Sequence, residues 1–138
     1  MIIAVDFDGT IVRDRYPQIG NEMPFATDTL RMLLNEGHQL VLWTVRQGKE
    51  LEEAIAWCRE RGVEFYAVNK TYPGEDSSEP FYSRKIKADI FIDDRNVGGM
   101  LDWGTIYEII KKHKTLEEVL FSDEEYRHKG KKRSWWQF

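Results

Sequence analysis

The sequence lacks several features that would restrict its class. Cys58 is the one cysteine among 138 residues, so an intramolecular disulfide is excluded and we expect a reducing compartment. No apolar run approaches the roughly 18 residues needed to cross a membrane. No basic leader precedes the apolar residues at the N-terminus. Together these absences predict a cytoplasmic protein without a membrane partner.

Basic charge and zinc-ligand patterns are also scarce. The formal net charge is -4, which argues against a protein that coats nucleic acid, because such proteins are basic. The three histidines and the cysteine show no zinc-ligand spacing. Hydrophobic residues make up 41% and charged residues 32%, as in an ordinary globular protein. We predict one domain over 1–126, followed by a basic and aromatic tail over 127–138.

Short apolar runs alternate with helical patterns along the chain. Continuous apolar runs predict strands that are buried on both faces, as in a parallel sheet. The runs are IIAVDF near the N-terminus, Gln39–Val45, Glu64–Val68 and Ala88–Asp93. Helical stripes between and after them include Leu30/Leu33/Leu34, Leu51/Ile55/Cys58 and Trp103/Ile106/Ile109/Ile110. This rhythm predicts an α/β fold with a three-layer, doubly wound, Rossmann-like parallel sheet.

Three further segments complete the pattern. Residues 13–22 are rich in turn formers and predict a loop or a small hairpin. Residues 69–83 contain two prolines, a glycine and three acids, which predict a long exposed loop of the kind that often carries function. Thr115 and Glu118 form a capping-box pattern that predicts the start of another helix.

Reactive side chains follow the predicted strands. In a parallel sheet the carboxyl ends of the strands share one edge, and ligands bind there. Clustered carboxylates need a cation, and all-oxygen ligands favour Mg²⁺. A lysine, a hydroxyl and the backbone amides near a glycine suit phosphate oxygens. The set therefore predicts Mg²⁺-assisted phosphoryl transfer by Asp6, Asp8, Thr44, Arg46, Lys85, Asp93 and Asp94.

The order of these residues resembles a known family. The stretch DFDGT after an apolar strand resembles the signature of the haloacid dehalogenase-like (HAD) superfamily of hydrolases. The motifs LVLWTVR, RKIKAD and IFIDD follow in the order of that superfamily. The resemblance spans residues 1–94 and the helix that follows.

The resemblance implies catalytic roles for the DFDGT motif. Asp6 would be the nucleophile that forms an aspartyl-phosphate, and would also contact the metal. Asp8 would protonate the leaving group and then activate water, while its backbone carbonyl would reach Mg²⁺. Because both acids are present, the resemblance implies a phosphatase or a phosphomutase rather than a dehalogenase. A phosphomutase usually carries a cap domain that excludes water, so the phosphatase is favoured.

Roles also follow for the later motifs. Thr44 would hold a phosphoryl oxygen, and Lys85, with Lys87 as the alternative, would neutralise the charge of the phosphate. Asp93 and Asp94 would complete the Mg²⁺ site, with Asp94 preferred as the direct ligand. Two interpretations of Arg46 stay open. It could be a clamp on the substrate phosphate, or it could cap or decorate the next helix.

The spacing of the motifs leaves no room for a cap domain. Thr10 and Thr44 are 34 positions apart, and Thr44 and Lys85 are 41 positions apart. The chain therefore resembles the capless members, whose open sites act on macromolecules or are closed by a neighbouring subunit, as in a homo-oligomer. The predicted substrate is a phosphomonoester: a sugar phosphate, a nucleotide or a phosphorylated nucleic-acid end.

Other functions remain as alternatives. A phospho-acceptor signalling module uses Mg²⁺, acids, a threonine and a lysine on a similar sheet, and a non-catalytic binding protein could use the same scaffold. In the tail, basic residues beside Trp135 and Trp136 could bind nucleic acid. The alternatives for the tail are a solvated segment, or tryptophans that pack against the domain or a second subunit.

Overall fold

The structure is a computed structural model and describes residues 1–112. Six strands and three helices occur in this part of the chain. The strands are β1 (Ile2–Val5), β2 (Val12–Arg15), β3 (Gln18–Glu22), β4 (Gln39–Leu42), β5 (Ala67–Val68) and β6 (Ile90–Ile92). The helices are α1 (Ala26–Asn35), α2 (Gly48–Glu60) and α3 (Trp103–Lys112). None of these helices is both long and apolar enough to cross a membrane.

Four parallel strands form the main sheet in the order β5-β4-β1-β6. In β1, Ile3, Ala4 and Val5 are all buried although their side chains alternate between the two faces. Ala4 lies opposite Val41 on one side and Phe91 on the other. The sheet is therefore covered on both faces, which explains the continuous apolar runs. The predicted α/β class with a parallel sheet is confirmed, and the fold is consistent with a Rossmann-like arrangement.

The first two helices begin and end near the predicted boundaries. Gly37 follows α1 with a φ of 89°, and Gly62 follows α2 with a φ of 79°, so both adopt the left-handed conformation that ends helices. Arg31 of α1 donates a 2.6 Å hydrogen bond to the carbonyl of Arg61 at the end of α2. This bond joins the middle of α1 to the end of α2.

The segment 13–22 forms an antiparallel hairpin of β2 and β3. Gly20 is required there, because a Cβ at this position would lie 2.1 Å from the carbonyl oxygen of Arg13. The segment 69–83 contains neither helix nor strand, as predicted, and it exposes Phe81 almost fully. For residues 13–22 the sequence predicts either a loop or a small hairpin, and the structure contains the hairpin.

The chain divides into two compact units, Met1–Met100 and a second unit that begins at Leu101. In the second unit, Asp102 caps α3: its carboxylate accepts bonds from the backbone N–H and the hydroxyl of Thr105 at 2.9 and 2.7 Å. These bonds lower the pKa of Asp102. The division 1–126 and 127–138 stays a prediction. The Thr115 capping box and the tail lie outside the described residues.

Candidate functional site

A cavity of about 680 Å³ lies beside the carboxyl ends of β1, β4 and β6. Its acidic lining consists of Asp6, Asp8, Asp14 and Asp93. The rest of the lining is aromatic, apolar or polar, with one cation: Tyr16, Trp43, Thr44, Val45 and Arg95. Residues distant in sequence thus meet at the sheet edge where the sequence places the chemistry.

Three carboxylates form a compact cluster at this edge. One oxygen each from Asp6, Asp93 and Asp94 lies within 4.8 Å of the other two. The buried hydroxyl of Thr10 joins them: its oxygen lies 3.2 Å from Asp6 Oδ2 and 3.3 Å from Asp94 Oδ1, and it accepts a 3.1 Å bond from the Asp94 amide. Because one hydroxyl proton serves both carboxylates, it can satisfy only one of them at a time.

Gly9 lets the chain pass close to this cluster. Its φ is 84°, and a Cβ at this position would lie 2.2 Å from Asp94 Oδ2. The glycine of DFDGT is therefore needed twice, for its left-handed backbone and for the space that the Asp94 carboxylate fills.

Burial and the neighbouring carboxylates disfavour the charged form of Asp6. Burial, a side-chain hydrogen bond with Asp94 and the negative charge of Asp93 raise the pKa of Asp6 to about 7, although the Phe7 amide and the Thr10 hydroxyl act in the opposite direction. Such crowding is the expected property of a site that a cation completes. An all-carboxylate donor set of this size fits a hard divalent cation such as Mg²⁺.

Arg46 is the largest fully buried side chain of the described residues, and it binds Asp8. Its Nε and Nη2 donate to the two carboxylate oxygens of Asp8, each at 2.7 Å. Hydrogen bonding to Asp8 raises the pKa of Arg46. Both oxygens of Asp8 thereby accept charge-assisted hydrogen bonds from Arg46. Asp8 thus has a cationic partner of its own and is not one of the three carboxylates of the cluster.

The same guanidinium also holds the hairpin. It donates to the carbonyls of Pro17 at 3.1 Å, Gln18 at 2.9 Å and Glu50 at 3.3 Å. The rings of Phe7 and Tyr16 lie against it, with centroids 5.1 and 5.2 Å from Cζ. The predicted role of Arg46 as a clamp on the substrate phosphate stays a prediction.

Thr44 lies in the cavity wall with a fixed backbone. Its amide donates a 2.8 Å bond to Asn69 Oδ1, and its hydroxyl accepts a 3.1 Å bond from the amide of Arg46. Asn69 has a φ of 53°, a left-handed conformation that asparagine tolerates better than most residues. Sequence reasoning missed Asn69, although an asparagine at the end of a short strand was a usable signal.

Lys85 and Lys87 are not among the residues that line the cavity. Lys85 is exposed, with its Nζ 5.3 Å from the ring centroid of Phe91. Lys87 lines a small separate cavity of about 120 Å³ beside the 69–83 loop. The structure therefore brings six of the seven predicted residues close to this edge, and the role of Lys85 at the phosphate stays a prediction.

Known proteins give the site its context. No protein-family model matches the sequence. A solved structure, described as a conserved protein from Bacteroides thetaiotaomicron, is 61% identical, with a TM-score of 0.83 over 88% of this chain and 98% of that one. The chain therefore belongs to the same family as the Bacteroides thetaiotaomicron protein. The description of that relative states no activity.

A second relative is more distant but carries a functional name. A Bacillus cereus protein named "Putative nucleotidase" is 28% identical over 72 residues, which is 52% of this chain and 38% of that protein. The chain thus matches well under half of that relative's length.

Proposed function

We propose that this protein is a capless HAD-type phosphatase that hydrolyses phosphomonoesters with Mg²⁺, through an aspartyl-phosphate on Asp6. The observation that carries the proposal is the meeting of Asp6, Asp93 and Asp94 within 4.8 Å at the ends of two adjacent parallel strands. The distant relative named as a nucleotidase supports the same class of reaction.

The first half-reaction transfers the phosphoryl group to the protein. A carboxylate oxygen of Asp6 attacks phosphorus, the bond from phosphorus to the ester oxygen breaks, and Asp8 donates a proton to the departing oxygen. Since both oxygens of Asp8 accept bonds from Arg46, the proton must displace one of these bonds. Arg46 thus holds Asp8 at a fixed place beside the cavity.

The second half-reaction regenerates the protein. Asp8, now a carboxylate, accepts a proton from water as the water oxygen attacks phosphorus, and the bond from phosphorus to Asp6 breaks to release inorganic phosphate. The hydroxyl of Thr44 holds a phosphoryl oxygen during both steps. Lys85 would neutralise the charge of the phosphate.

The metal is assigned to the carboxylate cluster. Asp6, Asp93 and Asp94 would hold it, and when bound it offsets the charge of the phosphoryl oxygens. Thr10 orients two of these carboxylates, and Gly9 leaves the space that Asp94 needs. The Mg²⁺ assignment rests on the all-oxygen donor set.

A panel of phosphomonoesters tests this proposal. We expect phosphate release in Mg²⁺, loss of release in EDTA, recovery when Mg²⁺ is restored, and no release by Asp6→Asn. Activity that persists in Asp6→Asn or ignores chelation would exclude the mechanism. A phosphorylated protein that loses its phosphate over hours, without turnover of any ester, would favour the signalling module instead.

A further inference from the structure

The lining of the cavity contains two chemically different kinds of side chain. Asp6 and Asp93 belong to the carboxylate cluster, whereas Tyr16, Trp43 and Val45, called the aromatic wall below, are largely apolar. Tyr16 is 56% exposed and Val45 is 89% exposed, while Trp43 is half-buried. Apolar side chains left uncovered beside a polar site are typical of a surface that binds the organic part of a ligand.

The ring of Tyr16 is held in place before any ligand arrives. It lies against the Arg46 guanidinium, which five hydrogen bonds to Asp8 and to three backbone carbonyls keep in place. The backbone amide of Tyr16 donates a 3.2 Å bond to the Asp14 carboxylate. An aromatic ring fixed in this way loses little conformational freedom when a second ring stacks on it.

We propose that this wall binds a nucleobase, and that the substrate of the proposed phosphatase is a nucleoside monophosphate. The inference rests on the proposed function, because it places the phosphate at the carboxylate cluster. A volume of about 680 Å³ falls within the usual range for sites that bind small organic ligands. A bare sugar phosphate would leave the rings of Tyr16 and Trp43 uncovered.

The charge of the cavity restricts the number of phosphates. Among the described residues, four carboxylates line it, of which Asp8 is paired with Arg46, and the one cation in the lining is Arg95. A divalent cation at Asp6 and Asp93 would compensate for one phosphate, but exposed Asp14 stands two residues from Tyr16 on the hairpin. Further phosphates of a polyphosphate or an oligonucleotide would be repelled by the negative charge of Asp14. The site therefore favours mononucleotides over polyanions.

The test compares a nucleoside 5′-monophosphate with ribose 5-phosphate, which has the phosphate and sugar but no base. In Mg²⁺, we expect the ratio of their kcat/KM values to be about tenfold or more in favour of the nucleotide. Tyr16→Ala should reduce this ratio about tenfold, since it removes the stacking surface. Tyr16→Phe should retain the ratio, because the ring remains.

Tyr82→Ala is the matched control, since Tyr82 is similarly exposed but does not line this cavity. Its ratio should equal that of the unchanged protein. Equal kcat/KM for both substrates, a ratio insensitive to Tyr16→Ala, or faster turnover of a nucleoside diphosphate or a phosphorylated oligonucleotide would overturn the inference.

A binding arm separates this inference from the proposed function. Asp6→Asn with Mg²⁺ is titrated with each ligand, so that affinity is measured without hydrolysis. We expect the nucleotide to bind about tenfold more tightly than ribose 5-phosphate, and equal affinities would overturn the inference. If hydrolysis is absent from the whole panel while this preference persists, the proposed function fails and the base-binding wall stands.

Discussion

At the residue scale, the environment of Asp6 couples its charge to the stability of the fold. The folded-state pKa of Asp6 is about 7, against 3.8 for an unperturbed carboxyl. Between these values the folded protein retains a proton that the unfolded chain has released. The free energy of unfolding of the metal-free protein should therefore decrease as pH rises through this window.

Asp6→Asn should remove the decrease in the free energy of unfolding that the ionisation of Asp6 causes as pH rises. In EDTA, we expect the variant to be more stable than the unchanged protein at pH 8, by about 1–3 kcal/mol, and the two to converge near pH 4. Urea unfolding at a series of pH values measures this difference. Parallel pH profiles for the two proteins would show that the carboxylate cluster does not strain the metal-free fold.

Gly9 offers a second prediction at this scale, with a control in the same chain. Gly9→Ala forces a left-handed alanine and places Cβ 2.2 Å from Asp94 Oδ2. Gly74→Ala forces the same backbone strain at a φ of 82°, with nothing within 4 Å of the new Cβ. Each should lose about 1 kcal/mol of stability through the backbone, and Gly9→Ala should lose more through crowding.

The decisive readout is the binding of the divalent cation. Calorimetric titration with Mg²⁺ should show weaker binding for Gly9→Ala, because Asp94 is displaced, and unchanged binding for Gly74→Ala. If both variants bind Mg²⁺ like the unchanged protein, Asp94 is not a ligand.

Sequence reasoning reached the carboxylates but not their partners. Asp6, Asp93 and Asp94 could be predicted because strand ends in a parallel sheet converge on one edge. The pairing of Asp8 with Arg46, 38 positions apart, could not, because a sequence gives residue types and not the direction of a side chain. Lys85 shows the same limit: its position along the chain did not reveal its contact with Phe91.

At the scale of elements, Arg46 links the hairpin to the sheet edge. Its guanidinium donates hydrogen bonds to Asp8 and to the carbonyl of Glu50 in α2. It also donates to the carbonyls of Pro17, which lies between the two hairpin strands, and of Gln18, which begins β3. Lysine cannot reproduce this planar set of bonds. Arg46→Lys should therefore cost about 3 kcal/mol of stability and accelerate hydrogen exchange at the hairpin amides.

Arg59→Lys is the control for this prediction, since its ion pair with Glu64 is largely exposed at 3.7 Å. We expect a change of no more than about 0.5 kcal/mol and an unaltered exchange pattern. Hairpin exchange that is equally slow in Arg46→Lys would show that contacts other than this guanidinium hold the hairpin.

The elements themselves were predictable to different degrees. Helices α1 and α2 could be located from apolar stripes and terminal glycines, which are local signals. Strand limits were less accurate: the run Gln39–Val45 contains a strand of only Gln39–Leu42, and the three residues after it line the cavity. The hairpin was left open because its strands carry mostly exposed polar residues, without a clear apolar alternation.

At the scale of the whole molecule, chain order and sheet order carry different information. The alternation of strands and helices was enough for the α/β class, but the order β5-β4-β1-β6 depends on long-range pairing that no local pattern encodes. The relative from Bacteroides thetaiotaomicron, 61% identical, has a closely similar fold. The HAD-like layering and the role of the tail remain predictions.

The most direct test of the account asks where the phosphoryl group resides during turnover. Asp8→Asn removes the group that activates water, so hydrolysis of the aspartyl-phosphate should be slow. A substrate with a good leaving group, such as p-nitrophenyl phosphate, should therefore phosphorylate the variant faster than the phosphoryl group is released from it. Acid quenching, proteolysis and mass spectrometry should then find one added phosphoryl group on Asp6, in Mg²⁺ but not in EDTA. Mg²⁺-dependent phosphate release without an adduct on Asp6, or an adduct on another residue, would contradict the account.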